Sequence, residues 1–457
     1  AGERFDMYRK IKNGDADLVI GTRSAVFAPL PRLKLIIIDE EHEHTYKSEQ
    51  NPRYHTRDVA AWRSGYHNAL TVLASAPPSV EVFYRAKTGK YTLVPLTERY
   101  GGALLPQTQI ADMREEYKSG NLSPFSRLMT ERLEDAKAQG KQAILFLNRR
   151  GYHHAVSCKN CGAALECPHC SVALTYHTDW KSGYLLCHAC GYKTFMPKTC
   201  PGCQSEHLSF VGFGTQKAEA DLSSLSDKFR VIRMDADTTS SKTAYDRLLS
   251  RFRQGDADVL LGTQMVTKGH DFPNVTLSGV LSADTSLYAN DFRAAERTFS
   301  LLTQVIGRAG RAASPGTAVI QTFSPDNQVI RLAAKQDYEA FYEAEIALRR
   351  SLGNPPFSDI AEVLLSASDE NQLMKASLFA KEKIIALFRE QAPDSRMELY
   401  GPLEPATYRI AGKCRLKISC KCRLASSIRH LFGEVLLLLG EAFPKVSASV
   451  DFNPLSV

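Results

Sequence analysis

Leu35-Ile36-Ile37-Ile38-Asp39-Glu40-Glu41-His42 runs from four consecutive branched aliphatic residues straight into three carboxylates and an imidazole. An aliphatic run of this kind, closed by polar residues, is the pattern of a parallel strand buried on both faces. Carboxylates at the C-terminal edge of such a strand sit where open α/β sheets bind ligands. One of them can hold a magnesium ion, often through water. Its neighbour can orient or deprotonate a water that attacks a γ-phosphate. A lone Asp-Glu pair is more often a solvated acidic turn, so the surrounding sequence has to decide.

Similar apolar runs recur at 17–21 and 70–75, then at 142–147, 229–233, 258–262, 278–282 and 317–322, separated by helix-length stretches. This alternation predicts an α/β chain with two doubly wound lobes, residues 1–124 (incomplete) and residues 125–351. A Pro/Gly break at Leu352-Gly353-Asn354-Pro355-Pro356-Phe357 ends the second lobe. Beyond it, residues 352–457 read strand, helix, strand, strand, helix, strand, a ferredoxin-like α+β domain. No apolar run reaches the length of a membrane span, so no membrane partner is expected. The formal net charge of +7 favours a polyphosphate partner.

Eight of the eleven cysteines form four Cys-x-x-Cys knuckles: Cys158/Cys161, Cys167/Cys170, Cys187/Cys190 and Cys200/Cys203. Without a signal-like N-terminus, paired knuckles point to metal in a reducing, cytoplasmic compartment rather than to disulfides. The set suits two structural Zn2+ ions within an insertion, residues 158–203, in the second lobe. Sixteen residues separate the inner two knuckles, which fits ribbon spacing. A nested pairing follows, with Cys158, Cys161, Cys200 and Cys203 at one metal and Cys167, Cys170, Cys187 and Cys190 at the other. Adjacent or crossed pairings remain open at this stage. His169 and His188 lie inside knuckle loops and are expected beside the metals or at the surface. Cys414, Cys420 and Cys422 read as plain buried thiols.

Two further segments reverse the bland reading of the acidic turn. Gly262-Thr263-Gln264-Met265-Val266-Thr267-Lys268-Gly269-His270 follows one apolar run, and Gln304-Val305-Ile306-Gly307-Arg308-Ala309-Gly310-Arg311 lies on or near a helix of the same lobe. Arg308 and Arg311, three apart, project from one face and can clamp transferring phosphates. In the C-terminal domain, Arg409, Lys413, Arg415 and Lys417 lie in a segment, 407–423, without a single acidic residue. Lys413, Arg415 and Lys417 alternate along a strand and would share a face able to track a phosphate backbone.

Asp39-Glu40-Glu41-His42, Ser75-Ala76-Pro77-Pro78-Ser79 and Gln304–Arg311, in that order, resemble superfamily 2 helicases. Gly21–Pro29, Pro52–Asp58, Leu147-Asn148-Arg149-Arg150-Gly151 and the eight-cysteine insertion together resemble the PriA family of bacterial primosomal replication-restart helicases, over essentially the whole chain. The resemblance implies RecA-like helicase lobes and a 3′-to-5′ DNA helicase using ATP and Mg2+. Its substrates would be branched or forked DNA and single-stranded DNA. Its partners would be single-stranded DNA-binding protein and the primosome proteins, in the nucleoid-associated bacterial cytoplasm. On matching positions it makes Asp39 the magnesium ligand, Glu40 the catalytic base, and Arg308 and Arg311 the γ-phosphate contacts. Glu41, His42, Ser75, Gly262, Thr263, Gln264, Lys268 and Gln304 would line the nucleotide and coupling face. Thr22, Arg23, Arg53, Tyr54 and His55 would touch or sense DNA, as would Arg409, Lys413, Arg415 and Lys417. The family also carries the nested zinc pairing.

Two departures set expectations. Gly-x-x-x-x-Gly-Lys-Ser/Thr, whose backbone N–H groups and lysine cradle phosphates, occurs nowhere in the chain. The family places it upstream, so this chain is expected to be part of a longer protein and to hydrolyse little or no ATP alone. Pro77 stands where the family has threonine, and any bond made by that hydroxyl would be lost. The competing readings are a duplex translocase and a non-catalytic zinc-containing DNA- and protein-binding scaffold.

Overall fold

A computed structural model describes residues 2–98, 105–148, 155–170, 172–178, 183–210, 215–225, 229–235, 238–239, 242–263, 266, 272–309 and 316–455. In the first lobe β1 (Leu35–Ile38) and β2 (Leu70–Leu73) pair in parallel, Leu35 opposite Leu70. The helix Thr56–His67 covers one face, where Ile38 and Ala60 are buried with Ile36, Val59 and Leu73 against them. The other face leaves Leu35, Ile37, Leu70 and Val72 exposed. The expected strand at 17–21 does not form: Leu18 is 76% and Ile20 88% exposed. Its apolar run has no partner strand among the described residues, and an extended segment without a ladder gains nothing from aliphatic side chains.

The second lobe is a six-stranded sheet, every pairing parallel, in the order β10-β11-β4-β12-β13-β3. Its strands are β3 (Gln107–Asp112), β4 (Gln142–Phe146), β10 (Val231–Met234), β11 (Val259–Gly262), β12 (Val275–Val280) and β13 (Thr317–Thr322). Along β4, Ile144 and Phe146 enter one core while Ala143 and Leu145 enter another. That is the doubly wound arrangement in residue terms. β3 departs from expectation. It lies before the 124/125 boundary drawn from sequence, yet it pairs with β13 along its whole length.

The insertion after β4 contains β5 (Val156–Cys158), β6 (Thr175–Thr178), β7 (Gly183–Leu186), β8 (Lys193–Phe195) and β9 (Leu208–Phe210). β5 pairs with β9, and β6-β7-β8 form an antiparallel sheet. The C-terminal domain holds β14 (Asp359–Ala367), β15 (Glu398–Leu403), β16 (Arg409–Ile410), β17 (Lys413–Cys422) and β18 (Ser447–Phe452), ordered β15-β17-β14-β18. With helices Glu370–Gln391 and Ser426–Ala442 on one face, this is the expected ferredoxin-like domain. Cys414, Cys420 and Cys422 are buried in its core.

The lobes are not merely adjacent. Helix Val80–Lys87 follows β2 in the chain but buries Val80 and Phe83 in the second lobe's core, Phe83 edge-on to Tyr338 at 5.1 Å and Tyr342 at 4.7 Å. No helix among the described residues is long and apolar enough to cross a membrane.

Candidate functional site

Asp39 and Glu40 leave the C-terminal end of β1 on an exposed turn. Glu40 sits in left-handed backbone, φ 50°, with its N–H on Asp39 Oδ1 at 2.9 Å. Partial burial pushes the Glu40 carboxyl above its usual range; His42 opposes this, Asp39 and Glu43 add to it, and Arg308 opposes it from the second lobe. Arg308 therefore stands within electrostatic reach of Glu40 across the lobe boundary.

His42 ties three segments together. Gln304 Nε2 lies 2.8 Å from His42 Nε2, His42 Nδ1 lies 2.5 Å from Ser75 Oγ, and Ser75 Oγ donates to Pro77 O at 2.6 Å. Because the serine hydroxyl donates onward, it accepts from His42 Nδ1–H, which leaves Nε2 to accept from Gln304. The relay runs from the second lobe to the segment around Pro77 through donors and acceptors that all match. It uses the Pro77 carbonyl, which any residue supplies. The missing threonine hydroxyl is thus not needed for this bond.

Glu41 points inward, 2% exposed, and accepts from Ser79 N at 2.6 Å and Ser79 Oγ at 3.1 Å. It pairs with Arg57 at 3.0 Å, and Arg57 lies 3.6 Å from Glu81. Glu81 in turn meets Arg293 at 2.8 Å, and these guanidinium groups hold its carboxyl well below the usual range against the cost of burial. Glu296 accepts from Val80 N at 2.8 Å and pairs with fully buried Arg349 at 2.7 Å, which Glu345 also meets at 2.7 Å. This chain of charges crosses between lobes beside a cleft of about 340 Å³ lined by Glu41, His42, Asn148, Arg293, Glu296 and Gln304. Sequence reading missed Arg57, Glu81, Arg293 and Arg349, because isolated long charged residues carry no spacing signal.

The cysteines gather as a nested pair: Cys158, Cys161, Cys200 and Cys203 in one group, Cys167, Cys170, Cys187 and Cys190 in the other. Sulfur separations are 3.6 Å for Cys158–Cys203, 3.7 Å for Cys161–Cys200 and 3.6 Å for Cys167–Cys190. Four sulfurs about 2.3 Å from a tetrahedral zinc lie roughly 3.8 Å apart, so both groups fit that ion. A hydrogen bond from Cys170 and then the N–H of Cys190 pull Cys187 down to about 5, while the N–H of Ser205 leads in lowering Cys203 to about 6. His188 is no ligand: it is buried, with Nδ1 donating to Glu404 O at 2.9 Å and Nε2 3.0 Å from His177 Nε2. His169 sits edge-on to Tyr192, with ring centres 5.5 Å apart.

The outer knuckle is seated on the second lobe. Gly162 O accepts from Tyr288 Oη at 3.3 Å and Ser324 Oγ at 3.1 Å, and a Cβ at Gly162, φ 77°, would lie 1.8 Å from Phe323 O. The inner knuckles abut the C-terminal domain through His188 and through Gly191, packed on Leu403.

The remaining candidates divide. Gly262 is buried and Thr263 half-buried at the end of β11, whereas Gln264, Lys268 and Arg311 lie outside the described residues. Thr22 is exposed, while Arg23 donates to Thr45 O at 3.1 Å and Lys47 O at 2.7 Å, holding the loop after the acidic turn. Tyr54 packs edge-on to Phe27 at 4.8 Å. Burial, reinforced by Arg57, drives His55 down to about 3; its Nδ1 accepts from Arg57 N at 3.1 Å, so it caps a helix as a neutral ring. The shared basic face on β17 is also corrected. Lys413 is exposed and Arg415 half-buried, but Lys417 is 3% exposed and paired with Glu362 at 3.4 Å, because that face turns onto the first-lobe loop that carries Lys47 and Arg53. Arg409 is exposed and paired with Glu370 at 2.8 Å.

Residues 203–313 match the family described as the helicase conserved C-terminal domain, and residues 167–194 match the PriA DNA helicase Cys-rich region domain. The chain is 45% identical over 455 residues to the replication restart protein PriA of Bacillus subtilis (strain 168), across 99% of this chain and 56% of the relative. It is 41% identical over 428 residues to the same-named protein of Synechocystis sp., across 92% and 51%. The chain spans about half the length of these curated relatives. Among solved structures it aligns with RecG bound to a three-way DNA junction at a TM-score of 0.37 and 14% identity, over 77% of this chain and 38% of that one, too low to carry an argument.

Proposed function

The chain belongs to the PriA family of replication restart proteins, and from that premise we propose that it carries the lobe-coupling half of an ATP-driven 3′-to-5′ DNA helicase acting on branched DNA at stalled forks. The observation that supports this most is the Gln304–His42–Ser75 relay beside Asp39 and Glu40. It links the second lobe to the acidic turn by directional bonds, as a motor needs if lobe movement is to follow the state of the nucleotide.

In this reading the exposed carboxylate of Asp39, which among the described residues accepts through Oδ1 from a backbone N–H, would hold Mg2+, a hard cation that takes oxygen ligands. Glu40 takes the proton of the attacking water, its raised pKa suiting a base. Arg308 and Arg311 meet the γ-phosphate. The four-cysteine groups hold structural zinc and fix the insertion between the second lobe and the C-terminal domain. Single-stranded DNA-binding protein and primosome proteins are the proposed partners, in the bacterial cytoplasm.

No phosphate-cradling loop lies within the 457 residues, so the chain by itself should show near-background ATP hydrolysis with or without DNA. Hydrolysis should appear when the chain is joined to an upstream segment carrying that loop, and Glu40→Gln should then abolish it. DNA-stimulated hydrolysis by the 457-residue chain alone would overturn the assignment of inactivity. No hydrolysis by the extended chain would favour the scaffold reading.

A further inference from the structure

The loop that follows the acidic turn meets the C-terminal domain through charged side chains. Lys47 Nζ lies 2.7 Å from Asp451 Oδ1 and donates to Phe452 O at 2.7 Å, while Arg53 Nη1 lies 3.6 Å from Asp451 Oδ2. Glu362 stands opposite Asp451 across the β14–β18 register and meets Lys417, and Arg415 lies near enough to repel Arg53. Four cations therefore face two carboxylates. The contact is close but poorly aligned: Arg53 Nε, Glu362 Oε2 and Asp451 Oδ1 are buried with no aligned hydrogen-bond partner. Ion pairs taken out of water without their full set of hydrogen bonds contribute little net stability. An interface of this kind separates readily, and its excess of cation favours a polyanion over the carboxylates now present.

The loop also reaches the acidic turn. Tyr46 Oη donates to Asp39 O at 2.7 Å, and Arg23 grips Lys47 O at 2.7 Å. A displacement of Lys47 is thus transmitted to the backbone of Asp39.

The geometry points to Asp451 as an internal stand-in for phosphate: it occupies an ammonium–guanidinium pair, Lys47 and Arg53, that a nucleic-acid backbone takes over, releasing the C-terminal domain from the loop. The inference rests on the DNA-binding reading above and adds the latch to it. The Arg53 fork suits a phosphodiester oxygen pair as well as a carboxylate. Lys47, 4% exposed, is unreachable until Asp451 yields.

The test uses the whole 457-residue chain and a labelled single-stranded oligonucleotide at fixed salt, read by fluorescence anisotropy. Asp451→Asn should bind about fivefold more tightly than the parent, because the competing anion is gone. Glu131→Gln, an equal charge change at a 62% exposed site far from the loop in sequence, controls for net charge. Equal binding by the two variants overturns the latch. No binding by any chain overturns the DNA reading along with it. Hydrogen exchange on the unmodified chain gives a second measure: the oligonucleotide should speed exchange across 449–455, and no change or protection there overturns displacement. The same speeding by inorganic phosphate at matched phosphate concentration overturns the assignment to a nucleic-acid backbone.

Discussion

Glu40 carries an electrostatic cost that its proposed role as a base would put to use. Its folded pKa is raised, so the ionised carboxylate counts against the fold. The sign is definite: the cost is absent below the unfolded value of 4.5 and complete above the raised folded value. Glu40→Gln should therefore stabilise the chain slightly at neutral pH, by no more than about 0.5 kcal/mol once solvent screening of a half-exposed group is allowed for. Urea unfolding at pH 7 and pH 4 should show the gain at the first and none at the second. Arg57→Ala should do the reverse. It strips the cation from buried Glu41 and from Glu81, and should cost about 3–5 kcal/mol in the same unfolding assay. Asp39, Glu40, His42 and Gln304 were legible in the sequence because they stand in a fixed order within motifs. Arg57, Glu81, Arg293 and Arg349 were not, since each meets its partners only after distant segments fold together.

Elements were legible where a pattern encoded both burial and partner. The C-terminal domain emerged strand by strand because its alternation and order leave few arrangements. Residues 17–21 misled because an aliphatic run encodes a wish for burial without naming what will bury it. β3 was invisible for the opposite reason: Gln107-Thr108-Gln109-Ile110-Ala111-Asp112 is mostly polar and survives as an edge strand by its ladder to β13. In the insertion, knuckle spacing carried the pairing, while the seat of each knuckle was illegible. Cys158→Ser with Cys203→Ser should lower bound zinc from two ions to one by elemental analysis, and Cys167→Ser with Cys190→Ser should do the same independently. Gly162→Ala, forced into left-handed backbone and into Phe323 O, should loosen the outer knuckle from the second lobe. Its thermal midpoint should fall by several degrees, with the inner zinc retained.

At the scale of the molecule, the first lobe has its own two-stranded sheet and also places Val80 and Phe83 in the second lobe's core. Phe83→Ala should cost about 3–5 kcal/mol and should split a single calorimetric transition into two, the first lobe melting earlier. An unchanged single transition would show that the shared core is dispensable for cooperativity. The nested cysteines have a consequence for how such a chain comes into being. Like brackets within brackets, the inner group can close once Cys190 has left the ribosome, whereas the outer group must wait for Cys203. β4 is made before either group, yet its neighbours β11 and β12 come after both. Synthesis thus opens the central strand of the second lobe, completes a metal-stapled module while that strand waits unpaired, and only then supplies the strands that flank it. Zinc supply becomes a matter of timing as well as of final stability.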